Sequence, residues 1–218
     1  MKRLIIIVEG QTEQEFVNSV LAPFLREKEI YSVTAVPIHK SGGGKGGMSN
    51  YDHLKNDIMK FLQSEKDIVL TTFIDFFRIP TNMPGYADCV IEGVPHTDQV
   101  DRLEVALGDA INDCRFIPYI QLHEFEALLF SSNKGFEYFY DLTVYNKTKQ
   151  IVDSFANPED INSSPQTAPS KRLLSIKPDY DKVLEGNLIA MEVGISSILE
   201  KCPRFKVWVE KLCDVVAK

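Results

Sequence analysis

The first apolar run of the chain, Leu4–Val8, is five consecutive aliphatic residues that stop abruptly at Glu9-Gly10. A run without polar alternation is what a strand buried on both faces of a parallel sheet requires. Downstream, Phe16, Val17, Val20, Leu21 and Phe24 recur at helical spacing. Thr12, with Glu15 three residues later, has the form of a capping box at the start of that helix. Tyr31–Ile38 reads as a second strand, and Asn50–Leu62 as a helix with Leu54, Ile58, Phe61 and Leu62 on one face. Asp67–Asp75 is a third strand and Asp98–Asn112 a further helix. Arg115–Leu122 is a fourth strand that runs directly into His123-Glu124-Phe125-Glu126. Strands separated by helices of this length need crossover connections, so the sheet is expected to be mostly parallel.

Beyond Ser131 the strand patterning fades. Helical spacing returns at 145–155, 180–199 and 205–216, around a polar stretch at 157–170 rich in Asn, Ser and Pro. The pattern divides the chain into an α/β unit, residues 1–130, and a helical extension, residues 131–218, packed on the same domain. A length of 218 residues suits that organisation.

Composition changes this picture little. The four cysteines, Cys89, Cys114, Cys202 and Cys213, form no C-x-x-C pair, so zinc spacing is absent and reduced thiols in a cytoplasmic protein are expected. Met1-Lys2-Arg3 and the apolar run after it begin like a secretory signal, but the run ends too early for one. No stretch approaches the roughly 20 apolar residues of a membrane span, and no membrane association is expected. The net charge of −7 argues against a protein that coats nucleic acid nonspecifically. It leaves room for an enzyme acting on phosphodiesters, because carboxylates that hold a divalent metal present local positive charge to a substrate.

The acids at the strand ends carry the candidate chemistry. Strand one ends in Glu9, strand three in Asp75, and strand four in Glu124 and Glu126. Ligands of open parallel sheets gather outside the carboxyl ends of the strands. Taken singly, such an acid is a solvated loop residue or a helix cap. Together, acids at one sheet edge repel one another unless a hard cation such as Mg²⁺ sits among them. Gly10 offers a sharp turn that lets Glu9 project over the edge. Glu13 is either a further metal-site group or an acid favoured by a helix N-terminus.

The glycine-rich loop Ser41–Gly47 is not a P-loop, since Lys45 is followed by Gly46 rather than a hydroxyl residue. Its alternatives are a mobile loop, or a backbone and Lys45 that close over phosphate, with His39 and Lys40 beside it. Lys171 and Arg172 follow the polar stretch as candidate phosphate contacts, or as a solvated pair at a helix start. His123 is a supporting group of the site or a satisfied core histidine. No Ser-His-Asp or Cys-His arrangement can be argued from spacing.

Ile6–Glu13, ending in E-G-Q-T-E, resembles the E-G-x-T-E signature of Toprim-like proteins. Thr72–Pro80 (TFIDFFRIP), Pro118–Phe130 (PYIQLHEFEALLF), Pro169–Leu173 (PSKRL) and Gly194–Leu212 are similar to the family catalogued as domain of unknown function 4276. The resemblance implies a Toprim-like, Rossmann-like α/β fold: a mostly parallel four-stranded sheet flanked by helices, with the C-terminal helical extension. It also implies Mg²⁺- or Mn²⁺-dependent cleavage of nucleic acid (tRNA or DNA). Relatives are similar to the nuclease subunit of the PARIS anti-phage system, which works with an ABC-type ATPase. By motif, Glu9 matches the essential Toprim glutamate and Asp75 the first acid of D-x-D. The second acid is replaced by Phe77, which leaves Glu124 or Glu126 to supply the missing ligand. The catalytic set expected from these residues is Glu9, Asp75, Glu124 and Lys171; Glu126 joins the metal ligands, and Gly10, Glu13, His123 and Arg172 support them. Two other readings use the same scaffold or acids: a non-catalytic Toprim-like subunit of an ABC-type ATPase complex, and a metal-dependent phosphatase or nucleotidyl-transfer enzyme acting on small molecules.

Overall fold

The structure, a computed structural model, describes residues 2–39, 48–161 and 166–216. Its sheet has the order β2-β1-β3-β4, with β5 also paired to β3. The strands are β1 (Arg3–Val8), β2 (Val33–Pro37), β3 (Ile68–Asp75), β4 (Phe116–Ile117) and β5 (Ile120–Gln121). Every pairing is parallel. Between and after them run α1 (Gln11–Phe16), α2 (Ala22–Glu27), α3 (Tyr51–Ser64), α4 (Tyr86–Cys89) and α5 (His96–Ile111). The C-terminal part adds α6 (Lys134–Phe139), α7 (Leu142–Ser154), α8 (Pro169–Ile176), α9 (Leu184–Val193), α10 (Ile195–Lys201) and α11 (Pro203–Val216). The expected mostly parallel α/β architecture is present. Among the described residues no helix is long and apolar enough to cross a membrane.

The unbroken aliphatic runs are explained by two cores, one on each face of the sheet. Leu4, Ile6, Val8, Val69 and Phe73 face one side and meet Phe16, Ile189, Phe205 and Trp208 of α1, α9 and α11. Ile5, Ile7, Leu70 and Ile74 face the other and meet Leu54 and Ile58 of α3 and Leu103 and Leu107 of α5. The C-terminal helices therefore share a core with the sheet. Phe16 packs edge-on against Phe125 with ring centroids 5.3 Å apart, joining α1 to the 3₁₀ turn Phe125–Ser131. Each such fully buried aromatic stabilises the fold by roughly 1.5–3 kcal/mol.

Three local expectations are corrected. The fourth strand is not continuous over Arg115–Leu122 but breaks into β4 and β5 at Pro118-Tyr119. Proline has no N–H to continue a ladder, and the side chain of Thr72 closes the gap. Its hydroxyl donates to the Tyr119 carbonyl at 2.8 Å and accepts from the Tyr119 N–H at 2.9 Å. The capping box does not form either. Gly10 occupies the N-cap of α1 with no side-chain cap bond, while Thr12 and Glu13 are buried inside the first turn. The 180–199 helix is two helices, α9 and α10, hinged at Gly194 with φ +77°. One further tie joins helix to sheet: the Trp208 indole N–H donates to Thr71 Oγ1 at 2.9 Å, fastening α11 to β3.

Candidate functional site

Register decides which acids meet. Val8 pairs with Phe73, so Glu9 leaves β1 beside the last residues of β3, and Asp75 at the end of β3 pairs with Gln121 of β5. Three residues on, Glu124 enters the 3₁₀ turn that carries Glu126. The result is a cleft of about 460 Å³ lined by Glu9, Asp75, Glu124 and Glu126 together with Phe77, Lys171 and Lys182.

Each acid is held differently. Glu9 Oε1 accepts the Met48 N–H at 3.1 Å and Oε2 accepts the Asp75 N–H at 3.3 Å. Asp75 Oδ1 accepts the Phe125 N–H at 3.0 Å, which fixes the start of the 3₁₀ turn. Both oxygens of Glu124 are engaged by Ser170, from its N–H at 2.9 Å and its hydroxyl at 3.0 Å. Ser170 lies in the first turn of α8, where backbone N–H groups and the helix dipole favour a carboxylate. One lone pair per oxygen of Glu124 is left for another partner. Glu126 is fully buried, and neither of its oxygens receives a hydrogen bond among the described residues.

The cation among these acids is Lys182, in the segment before α9. Its Nζ lies 3.4 Å from Glu13 Oε1, 3.4 Å from Glu126 Oε2 and 3.7 Å from Asp75 Oδ2. Burial raises the pKa of Asp75 well above the usual carboxylate value, with Glu13, Glu9 and Glu126 adding to the effect and Lys182 opposing it. Burial also raises Glu9, and brings Glu126 to about 7. Burial pulls the Lys182 ammonium down, but the surrounding carboxylates of Asp75, Glu126 and Glu13 outweigh it, so the group is held well above its ordinary value. The lysine keeps its charge beside acids, Asp75 and Glu126, whose protonated forms burial favours.

The donor set is entirely carboxylate oxygen, the chemistry of a hard divalent cation. The unbonded, buried oxygens of Glu126 are the structural sign that such a group fits here. Among the described residues no three acids converge on a single chelating point; Glu13, Asp75 and Glu126 instead surround the lysine ammonium.

The other expected residues fall into place around this centre. Lys171 lines the cleft and is exposed. Arg172 is not among the residues lining the cleft: its Nε donates to the Thr167 carbonyl at 2.7 Å and its guanidinium lies over the Phe155 ring. His123 is buried at φ +68°, and its carbonyl accepts the Phe77 N–H at 2.9 Å. Burial, with His96 5.0 Å away, lowers its pKa to about 3, so the ring is neutral. Gly10 lies in the bend that follows β1, as expected, but the bend does not require a glycine. Its φ of −162° is open to any residue, and an added Cβ would make only an ordinary 3.6 Å contact with Glu13. Lys40 and Lys45 lie outside the described residues, whereas His39 is anchored on Asp57 at 2.8 Å. Phe77 borders the cleft at the D-x-D position.

Among the residues that line the cleft, Lys182, Ser170 and Arg78 stand outside the expected set. Lys182 sits in an unremarkable K-P-D-Y-D-K-V segment; only the need of buried acids for a counter-charge predicts such a lysine, and not which one. Ser170 is visible only as the partner of Glu124. Arg78 borders the cleft at φ +63°, its guanidinium 5.1 Å from the Phe77 ring.

The fold has solved counterparts. It is similar to the C-terminal region of the OLD protein of Xanthomonas campestris pv. campestris, with TM-score 0.54 and 18% identity, over 99% of this chain and 94% of that one. It is similar also to the C-terminal region of the Burkholderia pseudomallei OLD protein, with TM-score 0.54 and 16% identity, over 99% of both chains. No curated protein matches the sequence. These likenesses show a shared mostly parallel α/β fold, and in this chain the sheet edge bears the acids described. Residues 8–213 match the family model "Domain of unknown function (DUF4276)", and the chain belongs to that family.

Proposed function

We propose that this protein is a divalent-metal-dependent nuclease that hydrolyses phosphodiester bonds of RNA or DNA, acting in the cytoplasm as an effector of prokaryotic anti-phage defence. The observation that carries the reading is the convergence of Glu9, Asp75, Glu124 and Glu126 from three adjacent strand ends in one cleft with Lys171 at its edge. The likeness of fold to the OLD C-terminal regions supports it. Residues 1–130 supply the acids, and residues 131–218 supply Ser170, Lys171 and Lys182.

In this reading Glu9, Asp75, Glu124 and Glu126 hold Mg²⁺ or Mn²⁺. Bound there, the ion supplies Lewis-acid activation of water and neutralisation of developing charge. Glu9 and Asp75 are held for that role by the backbone N–H groups of Asp75 and Phe125. Lys171 neutralises a non-bridging phosphate oxygen from the exposed side. His123, neutral and buried, positions the turn between Phe77 and Glu124 and transfers no proton. An ABC-type ATPase belongs to the proposal as the partner that controls access to nucleic acid.

The test is cleavage of labelled tRNA and DNA with Mg²⁺ or Mn²⁺, with the candidate ATPase present, by the parent and by Glu9→Gln and Asp75→Asn. Metal-dependent cutting that both variants lose supports the assignment; cutting that persists in both refutes it. The presence of Phe77 at the second acid position favours one other reading, a non-catalytic subunit of an ATPase complex. That reading predicts no Mn²⁺ affinity that depends on Glu9.

A further inference from the structure

Five acids gather at the sheet edge, and they divide by what they touch. Glu13, Asp75 and Glu126 each lie within 3.4–3.7 Å of the Lys182 ammonium. Glu9 and Glu124 form no ion pair among the described residues and are held by N–H and O–H donors instead. The three acids paired with Lys182 come from α1, β3 and the 3₁₀ turn, and all three are buried. A charge enclosed on three sides in this way is costly to remove, because any one carboxylate left buried without it is destabilised.

The lysine is positioned by its backbone. Asp181 Oδ1 accepts the N–H groups of Val183 and Leu184, both at 2.9 Å. One turn into α9, Asn187 Nδ2 donates to the Val183 carbonyl at 2.8 Å and to the Thr12 carbonyl at 3.2 Å. Thr12 is the neighbour of Glu13, so the segment that carries the ammonium is tied to the helix that carries one of its acids. Phe77, the residue two after Asp75, also lines the cleft and brings no charge.

We propose, resting on the metal-dependent reading above, that Lys182 is a built-in second cation and that the site therefore takes one divalent ion rather than two. Its ammonium offsets part of the charge of Glu13, Asp75 and Glu126, and the charge that remains on the four ligands Glu9, Asp75, Glu124 and Glu126 suits one divalent ion. An ammonium is a compact point charge with three donors, enough to face three carboxylates at once. Lys182 in this role is a positioning residue: it orders acids and sets ion number, and does not itself touch substrate.

The experiment is Mn²⁺ titration of the full chain, free of nucleic acid, counting bound ions by electron paramagnetic resonance. The parent binds one Mn²⁺ per chain. Lys182→Met, close in length but neutral, takes up a second, whereas Lys182→Arg stays at one. Thermal melting of each variant establishes that it is folded. Two ions in the parent overturn the proposal whatever the variants do, and a folded Lys182→Met that still binds one ion overturns it as well. If the parent binds no Mn²⁺ at all, the metal-dependent reading fails and this inference falls with it, a result distinct from a count of two.

Discussion

Glu9 Oε2 accepts the backbone N–H of Asp75 at 3.3 Å, so the acid that closes β1 is tied to the residue that closes β3. The bond orients Glu9 toward the cleft and leaves its carboxylate facing the site of proposed chemistry. Glu9→Gln keeps an acceptor for one N–H and removes the charge. Its cleavage rate is expected to fall about 10²-fold or more, the scale of losing one electrostatic participant, with a melting temperature near that of the parent. Single-turnover rates beside a thermal melt check this, and a rate within threefold of the parent's counts against Glu9 as a ligand.

The neighbouring cations are expected to separate cleanly. Lys171→Ala lowers cleavage and leaves stability within about 0.5 kcal/mol, as for an exposed side chain. Arg172→Ala acts the other way, through its lost bond to the Thr167 carbonyl and its lost contact with Phe155. Denaturant unfolding should show about 1–2 kcal/mol of destabilisation, with cleavage by the folded fraction retained. The reverse pattern in the two variants refutes the assignment.

The metal-free protein carries a pH signature from Glu126. Burial places this carboxyl at about 7, against an ordinary 4.5. Between these values the unfolded chain gives up the proton first. The folded state then binds more protons, and its stability falls as pH rises. The contribution is complete below pH 4.5 and is lost as pH rises through about 7. In the presence of a chelator the melting temperature should drop between pH 5 and 7.5, and Glu126→Gln should flatten part of that slope. Identical slopes in parent and variant dismiss Glu126 as the source.

Two glycines give a contrast that needs no functional assay. Gly10→Ala meets only an ordinary contact and should cost about 1 kcal/mol or less, the price of a poorer N-cap. Gly135→Ala drives a Cβ to 2.6 Å from the Ile189 carbonyl oxygen, where α6 crosses α9. Overpacking against backbone costs about 1–3 kcal/mol or more. Denaturant midpoints that rank the two variants in the other order reject this account of the helix crossing.

What could be read from the chain follows from which forces are local. The buried strands β1 and β3 were legible because a run of Ile, Leu and Val with no polar gap has few other uses, and because each ends on an acid. The break in the fourth strand was half legible: Pro118 is visible, but the hydroxyl of Thr72 that makes the break tolerable is far away in sequence. Thr12 misled, since its spacing to Glu15 imitates a cap while α9, through Asn187, packs on that turn and buries it. Gly10 was half legible: the chain bends at Glu9-Gly10, but through an extended backbone conformation that other residues also adopt. Lys182 was illegible, because its role depends on a helix that returns to the sheet edge after a long excursion. The expectation for Lys40 and Lys45 falls on residues outside those described.

That excursion has a consequence for how the molecule is made. The acids of β1, β3 and the 3₁₀ turn leave the ribosome before Ser170, which holds Glu124, and Lys182, which pairs with Asp75 and Glu126. A nascent chain that has just released its sheet carries the carboxylates without their partners, so Glu126 cannot yet be buried beside an ammonium. The centre is finished only when α8 and α9 fold back. Under the proposed nuclease function, the site is completed only once α8 and α9 have emerged from the ribosome.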